Sequence, residues 1–390
     1  MIPLLHTPEG VRDIYGEEIS GMRRIEALVE GCMKRFGYEE IRTPSFEYFD
    51  VFSSERGTVP SKDMYKFIDR DGNTLVLRPD MTPQIARCAA TYFRGSEAPI
   101  RMYYSGSTFI NNSGYQLRLK ETTQAGVELF GDASPEADAE IVALTVACLR
   151  AAGLSEFQIE IGNAGFFRAI ASACGLSGED EEELRRRIKN KNLFGIPDFL
   201  NERKITGRSA ELLLKIPELF GTADILKEAE SLTDDTAALA ELSKLRTLSE
   251  RLKDYGVERY VSYDLSMLSK YRYYTGIIFR AITHGTGEAL ASGGRYDTLV
   301  EQFGASMPAI GMSVTIDTLL VALERQGLMG EKAPSADVIL YRESDASKAI
   351  AKACELREKG VDVKLRSVTD ASTEKISEEY EKAGVRVWNI

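Results

Sequence analysis

Gln124-Ala125-Gly126-Val127-Glu128-Leu129-Phe130 alternates with the period of a β-strand. Gln124, Gly126 and Glu128 fall on one face, and Ala125, Val127 and Leu129 on the other. A glycine between two polar residues makes room for a ligand against the sheet. The same alternation describes a solvated sheet face, and these residues alone leave both readings open. Working outward, three further stretches join polar chemistry to turn or glycine signals. In Arg78-Pro79-Asp80-Met81-Thr82 a carboxylate and a hydroxyl precede a helical stretch, Thr82–Phe93. Asp80 or Thr82 is expected to cap that helix, with Pro83 in its first turn. The same junction can hold an ammonium group, but capping is the simpler use. Tyr273-Tyr274-Thr275-Gly276 leads into Ile277-Ile278-Phe279, and neighbouring tyrosines on a strand face opposite ways, one into the core. In Ser292-Gly293-Gly294-Arg295-Tyr296-Asp297 the glycines permit close backbone approach, and Arg295 faces an anion or an ordinary ion-pair partner.

The chain is 390 residues long, room for two or three domains, with 43% apolar and 28% charged residues. Lys and Arg number 49 against 60 Asp and Glu, a net charge of −11 that argues against non-specific binding of nucleic acid or anionic membrane. His6 and His284 are its two histidines, so a His-rich metal site is not expected. Five scattered cysteines without a C-x-x-C pair fit a reducing cytosol. The sequence shows no secretory signal and no apolar run that would span a membrane, so a cytoplasmic location is expected. Neither a Walker loop nor a Rossmann glycine fingerprint occurs.

Apolar spacing predicts a helix over 18–36 and a short strand from Tyr38 to Pro44. A hairpin is expected over 64–78, turning at Asp71-Gly72-Asn73. Strands are predicted at 100–104, 107–111, 125–130 and 157–161, and a helix at 138–152 with Ile141, Leu144, Ala147 and Cys148 on one face. Residues 176–255 become charged, Leu-rich and helical, without clear strands. Strands resume at 260–265 and 273–282, a helix closes 313–327, and Lys332-Ala333-Pro334-Ser335 is expected to be a linker. The last residues fall into a β-α-β-α-β pattern. The expected organisation is a core at 1–175 and 256–330, a helical insertion at 176–255, and a small α/β module at 336–390.

Each motif is weak alone, but their order is specific. From Thr7-Pro8-Glu9-Gly10-Val11-Arg12-Asp13-Ile14 through Arg78-Pro79-Asp80-Met81-Thr82, Tyr104-x-Gly106-x-x-Phe109, Gln124-x-Gly126-x-Glu128 and Tyr273-Tyr274-Thr275-Gly276, the chain resembles the catalytic core of histidyl-tRNA synthetase. Gly293-Gly294-Arg295-Tyr296-Asp297 and Pro308-Ala309-Ile310-Gly311 complete the set, over about residues 5–325. The resemblance implies an α+β, class II aminoacyl-tRNA synthetase-like fold, a mainly antiparallel sheet with flanking helices, in a chain that dimerises. It also assigns a histidine site. Asp80, where that family usually has Glu, and Thr82 match positions that hold the α-amino group. Gln124 matches a further substrate ligand. Glu128 and Tyr274 match residues that face the imidazole, and Tyr273 completes the expected set.

Other positions depart from the family. After Phe109 the resemblance calls for an arginine on the ATP α-phosphate and a glutamate two residues on, where Ile110 and Asn112 stand. The arginine of the Arg-Gly-Leu-Asp-Tyr-Tyr run is Ser269, within Ser269-Lys270-Tyr271-Arg272-Tyr273-Tyr274. The closing Gly-Leu-Glu-Arg reads Thr315-Ile316-Asp317-Thr318. Adenylation builds negative charge on phosphorus, and losing one preorganised donor costs about 2.7–4 kcal/mol of transition-state stabilisation. With three arginines replaced, amino-acid activation is expected to be lost. Residues 336–390 amount to about half of an anticodon-binding domain, so tRNA recognition is not expected either.

A synthetase fold with a retained histidine pocket, a dismantled ATP site and a short tail resembles the regulatory subunit of ATP phosphoribosyltransferase. That resemblance implies a non-catalytic chain without cofactor or metal. Its partner would be a short-form catalytic subunit, activated in a hetero-octamer of four plus four chains and inhibited by L-histidine. The rival expectations are a stand-alone histidine sensor or RNA-binding paralogue, and an active histidyl-tRNA synthetase.

Overall fold

The structure, a computed structural model, describes residues 5–52, 59–112, 119–190, 195–268, 273–330 and 336–390. It divides into two compact units, Met1–Met329 and Gly330–Ile390.

In the first unit, helix α1 (Glu17–Arg35) leads to strand β1 (Glu39–Glu40). Met22, Ile25, Val29 and Met33 of α1 are buried along one stripe, with acidic residues in its first turn and basic residues in its last, as the helix dipole favours. A separate three-stranded sheet follows: β2 (Phe46–Tyr48), β3 (Lys66–Ile68) and β4 (Thr74–Leu77), in the order β2-β4-β3. The last two form the expected hairpin. Helix α2 (Thr82–Tyr92) precedes β5 (Ile100–Phe109), β6 (Glu121–Phe130), α3 (Pro135–Ala151), β7 (Gln158–Asn163) and α4 (Ala164–Ala173). The two strands expected at 100–104 and 107–111 are one ten-residue strand, because all of β5 pairs with β6 from Ile100↔Phe130 to Phe109↔Glu121. Helix α3 is capped by the Ser134 side chain, which accepts the Ala137 N–H, and is buried on nearly every side rather than along one face.

Residues 176–255 contain α5 (Glu179–Lys189), α6 (Gly195–Glu202), α7 (Arg208–Lys215), β8 (Phe220–Gly221), α8 (Asp224–Leu232) and α9 (Thr236–Asp254). The two-residue strand was not expected there; it pairs with β9 (Val261–Asp264) at the sheet edge. β10 (Ile277–Ile282), β11 (Ala291–Arg295), β12 (Ala309–Thr315) and α10 (Ile316–Arg325) complete the unit. The main sheet runs β1-β5-β6-β12-β11-β10-β7-β9-β8. Its β1–β5 and β7–β9 pairs are parallel and the rest antiparallel, the α+β arrangement predicted from sequence. One apolar cluster joins α1, α3, the inward face of β6 through Ala125, Val127 and Leu129, and the helices after α4. The other face of the central strands carries the site.

The second unit is β13 (Asp337–Tyr341), α11 (Ala346–Glu358), β14 (Val363–Ser367), α12 (Asp370–Lys382) and β15 (Val387–Asn389). Its parallel sheet, ordered β14-β13-β15, buries Ile339 with α11 residues and Val338 and Leu340 in a separate apolar cluster. The expected linker at 332–335 lies outside the described residues.

Candidate functional site

The turn from β4 into α2 brings Asp80 and Thr82 over the central strands. Neither caps α2: the cap position is Met81, which makes no side-chain cap bond. Asp80 instead accepts the Thr82 N–H on Oδ1 at 3.3 Å and the Tyr273 hydroxyl on Oδ2 at 3.4 Å. The Thr82 hydroxyl is turned away from the helix and donates to Glu128 Oε1 at 2.6 Å. Tyr296, just past β11, donates its hydroxyl to Glu128 Oε2.

Glu128 is the centre of the arrangement, 1% exposed in the middle of a sheet. It fits because its cross-strand neighbour on β12 is Gly311, where a Cβ would collide with the carboxylate. Burial pushes the Glu128 carboxyl up to about 8; the Thr82 and Tyr296 hydroxyls pull it down and the Asp80 charge adds to the rise. Glycine at 126 serves a different purpose from the one read in the sequence. A Cβ there would collide with the Tyr104 hydroxyl, so the space belongs to a tyrosine that lines the site, rather than to a ligand directly.

Asp80, Thr82, Gln124, Glu128, Tyr273 and Tyr274 all line one cavity of about 310 Å³, an appropriate size for an amino acid. The tyrosines correct one expectation. Tyr273 and Tyr274 precede β10 instead of lying on it, and both rings face the cavity, 4.7 Å apart at 53°. Tyr104 and Tyr296 complete the aromatic wall, with Tyr273 edge-on to Tyr296 at 5.8 Å. Burial raises the hydroxyl pKa of Tyr104, Tyr274 and Tyr296, for Tyr274 with the Asp80 charge adding to the rise, so all three stay neutral. Sequence reasoning passed over Tyr104 and Tyr296 although both stand inside the motifs it used. The signal was the glycine partner: Tyr104 pairs with Gly126 across β5 and β6.

Of the two readings of Arg295, the ordinary ion pair is the one found. The side chain is buried behind the sheet, bonded to Asp138, the Asp132 carbonyl and Asp297, and holds β11 to the start of α3. Asp138 is pushed up to about 6 by that burial, against the pull of Arg295.

The cavity lining holds the carboxyl groups of Asp80, Glu128 and Glu288, and no lysine or arginine among the described residues. Ile110 and Thr315 form part of the wall. Asn112 bonds to the Leu119 carbonyl at 3.4 Å, and Asp317 accepts the Thr123 N–H at 2.6 Å, so neither acts as a charged clamp in the cavity. Ser269, Lys270 and Arg272 lie outside the described residues, as does Arg118. The described carboxyl groups favour a cationic or hydrogen-bonding ligand. Among the described residues no group of three or more His, Cys, Asp or Glu is placed to hold a metal ion, and no helix is long and apolar enough to cross a membrane.

A mainly antiparallel sheet with this amino-acid-sized, carboxylate-rich pocket defines a class II synthetase-like protein, and the family model for histidyl-tRNA synthetase matches residues 10–319. The chain is 20% identical to a histidyl-tRNA synthetase structure from Nostoc sp. PCC 7120, TM-score 0.79 over 98% of this chain and 90% of that one, a likeness of fold. Closer in sequence is an ATP phosphoribosyltransferase regulatory subunit from Acetivibrio thermocellus, 41% identical over 93% of this chain and 86% of that protein. A second, from Ruminiclostridium cellulolyticum, is 40% identical over 94% and 87%. A crystal structure described as an ATP phosphoribosyltransferase regulatory subunit/histidyl-tRNA synthetase from Bacillus halodurans C superposes with a TM-score of 0.87 at 30% identity, over 99% and 98% of the two chains. Within the histidyl-tRNA synthetase-like proteins, this chain belongs to the ATP phosphoribosyltransferase regulatory subunits.

Proposed function

We propose that the chain activates a short-form ATP phosphoribosyltransferase catalytic subunit by assembling with it, and that L-histidine in the cavity is the feedback inhibitor. The assembly is read as self-dimers within a hetero-octamer of four regulatory and four catalytic chains in the cytoplasm. The observation that carries the reading is the cavity itself: six residues matched to histidine contacts share one amino-acid-sized pocket without a described cation. Asp80 and the Thr82 region would receive the α-ammonium group. Glu128 and Tyr274 would meet the imidazole. With its carboxyl raised to about 8 by burial, Glu128 can carry a proton at neutral pH. It then donates to a neutral imidazole nitrogen or passes its proton to it, leaving a carboxylate–imidazolium pair.

Histidine regulates only to the extent that it binds two quaternary states differently, a coupling of typically about 1–3 kcal/mol. The test is phosphoribosyl-ATP formation from ATP and phosphoribosyl pyrophosphate by a short-form catalytic chain, with and without this protein, then with histidine. Activation by this chain and inhibition by histidine are the expected results. Absence of both activation and complex formation would sink the reading.

A further inference from the structure

Arg168 lies on α4, outside the cavity lining, and its guanidinium reaches the backbone of the tyrosine wall. Nη1 donates to the Tyr274 carbonyl at 3.0 Å and Nη2 to the Thr275 carbonyl at 2.7 Å. Beside them the Ala164 N–H, at the start of α4, donates to the Gly276 carbonyl at 2.9 Å. Three successive carbonyls therefore hang from one helix. They all precede β10, which begins at Ile277. On its other side the segment is held by the end of β11, where the Thr275 N–H donates to the Arg295 carbonyl at 2.7 Å.

The same helix is fastened to the helical insertion. Its cap, Asn163, accepts the Gly165 and Phe166 N–H groups at 2.7 and 3.0 Å, while Nδ2 donates to Glu241 Oε2 of α9 at 3.0 Å. Arg185 of α5 sits over the Phe167 ring of α4 at 5.0 Å. Phe166, Phe167 and Ile170 are fully packed, so α4 cannot shift alone. It stands between the cavity's aromatic wall and two helices of the insertion.

We propose that Arg168 is the positioning residue of the tyrosine wall, and that α4 couples occupancy of the cavity to the helical insertion through the Asn163–Glu241 bond. The coupling half rests on the histidine reading; the positioning half does not. A guanidinium fork fixes two adjacent carbonyls in one plane, which a lysine's single ammonium cannot reproduce. A ligand that settles against Tyr274 therefore tightens a unit that includes α4 and, through its cap, α9.

Amide hydrogen exchange on the full chain tests both halves, using wild type, Arg168→Lys and Glu241→Ala. Without ligand, Arg168→Lys is expected to speed exchange over residues 273–278 on the order of tenfold and to leave α1 at the wild-type rate. Unchanged exchange over 273–278 overturns the positioning role, whether or not any ligand binds. With histidine, the wild type is expected to gain protection over α4 and α9. Arg168→Lys should lose that gain and bind histidine on the order of tenfold more weakly. Glu241→Ala should keep the wild-type affinity and lose protection of α9 alone. Protection of α9 retained in both variants overturns the coupling. If Arg168→Lys also loosens α1 it has unfolded, and Glu241→Ala, which keeps the fork, decides between the same two results. A wild type that binds no histidine removes the histidine reading and leaves the ligand-free exchange as the test of Arg168.

Discussion

The two ends of the cavity differ in what their side chains can hold. At one end Asp80, Thr82, Glu128 and Tyr296 are linked by hydrogen bonds, with both Glu128 oxygens engaged. At the other, Ile110 and Thr315 form the wall, and no described cation joins them. The first end carries the groups that the proposed histidine reading assigns to amino-acid recognition. Among the described residues, the second shows none of the charge-assisted donors that a nucleotide phosphate requires. On the proposed reading a binding site can outlast a catalytic one, because recognition needs preformed hydrogen bonds, while adenylation also needs positive charge at the reacting phosphorus.

The largest test of that contrast is Glu128→Ala, which removes the centre of the polar end. Histidine affinity should fall roughly 10- to 150-fold, the range for a hydrogen bond to a charged group, while activation of the catalytic chain is spared. Calorimetry paired with the activation assay separates the two, and equal loss of both would mark a misfolded variant. Gly311→Ala drives a methyl into the Glu128 carboxylate. It should lower stability by about 1–3 kcal/mol, read by chemical denaturation, together with histidine affinity.

The Glu128 carboxyl offers a pH test with a definite sign. Its folded pKa, raised to about 8, lies above its ordinary 4.5, so its protonated form stabilises the fold below about 4.5 and that contribution is lost as pH rises toward 8. Glu128→Gln cannot ionise. Its stability relative to wild type should climb by up to about 1.4 kcal/mol per pH unit across that window and level off above it. A flat difference would place the ionised carboxylate in the empty cavity. The smallest effect is Tyr296→Phe, which deletes one donor to Glu128 and should weaken histidine binding by about 0.5–1.5 kcal/mol. At the other end, wild type should show no histidine-dependent ATP–pyrophosphate exchange, and a signal above background would erase the contrast.

Local pattern made much of the fold legible. The β-α-β-α-β order of residues 336–390 is visible because each element's apolar spacing is self-contained. The same approach failed at Ser105-Gly106, where weak strand formers suggested a break that the ladder with β6 overrides. It failed again at Tyr273-Tyr274, whose backbone is suspended from α4 by Arg168, a residue about a hundred positions earlier. No periodicity carries such a contact.

Residue identity alone points to the chemistry present: the order of the motifs, six candidate pocket residues, and Ile110 and Thr318 where arginines would be needed. These follow from residue identity at matched positions, which survives without coordinates. Only the tertiary structure decided how that chemistry is set. It buried Glu128 against Gly311 and so raised its pKa, gave the space over Gly126 to Tyr104, and settled Arg295 as an ion pair that braces β11 rather than an anion site. A group's charge state and partners depend on what excludes water from it, and that comes from residues distant in the chain.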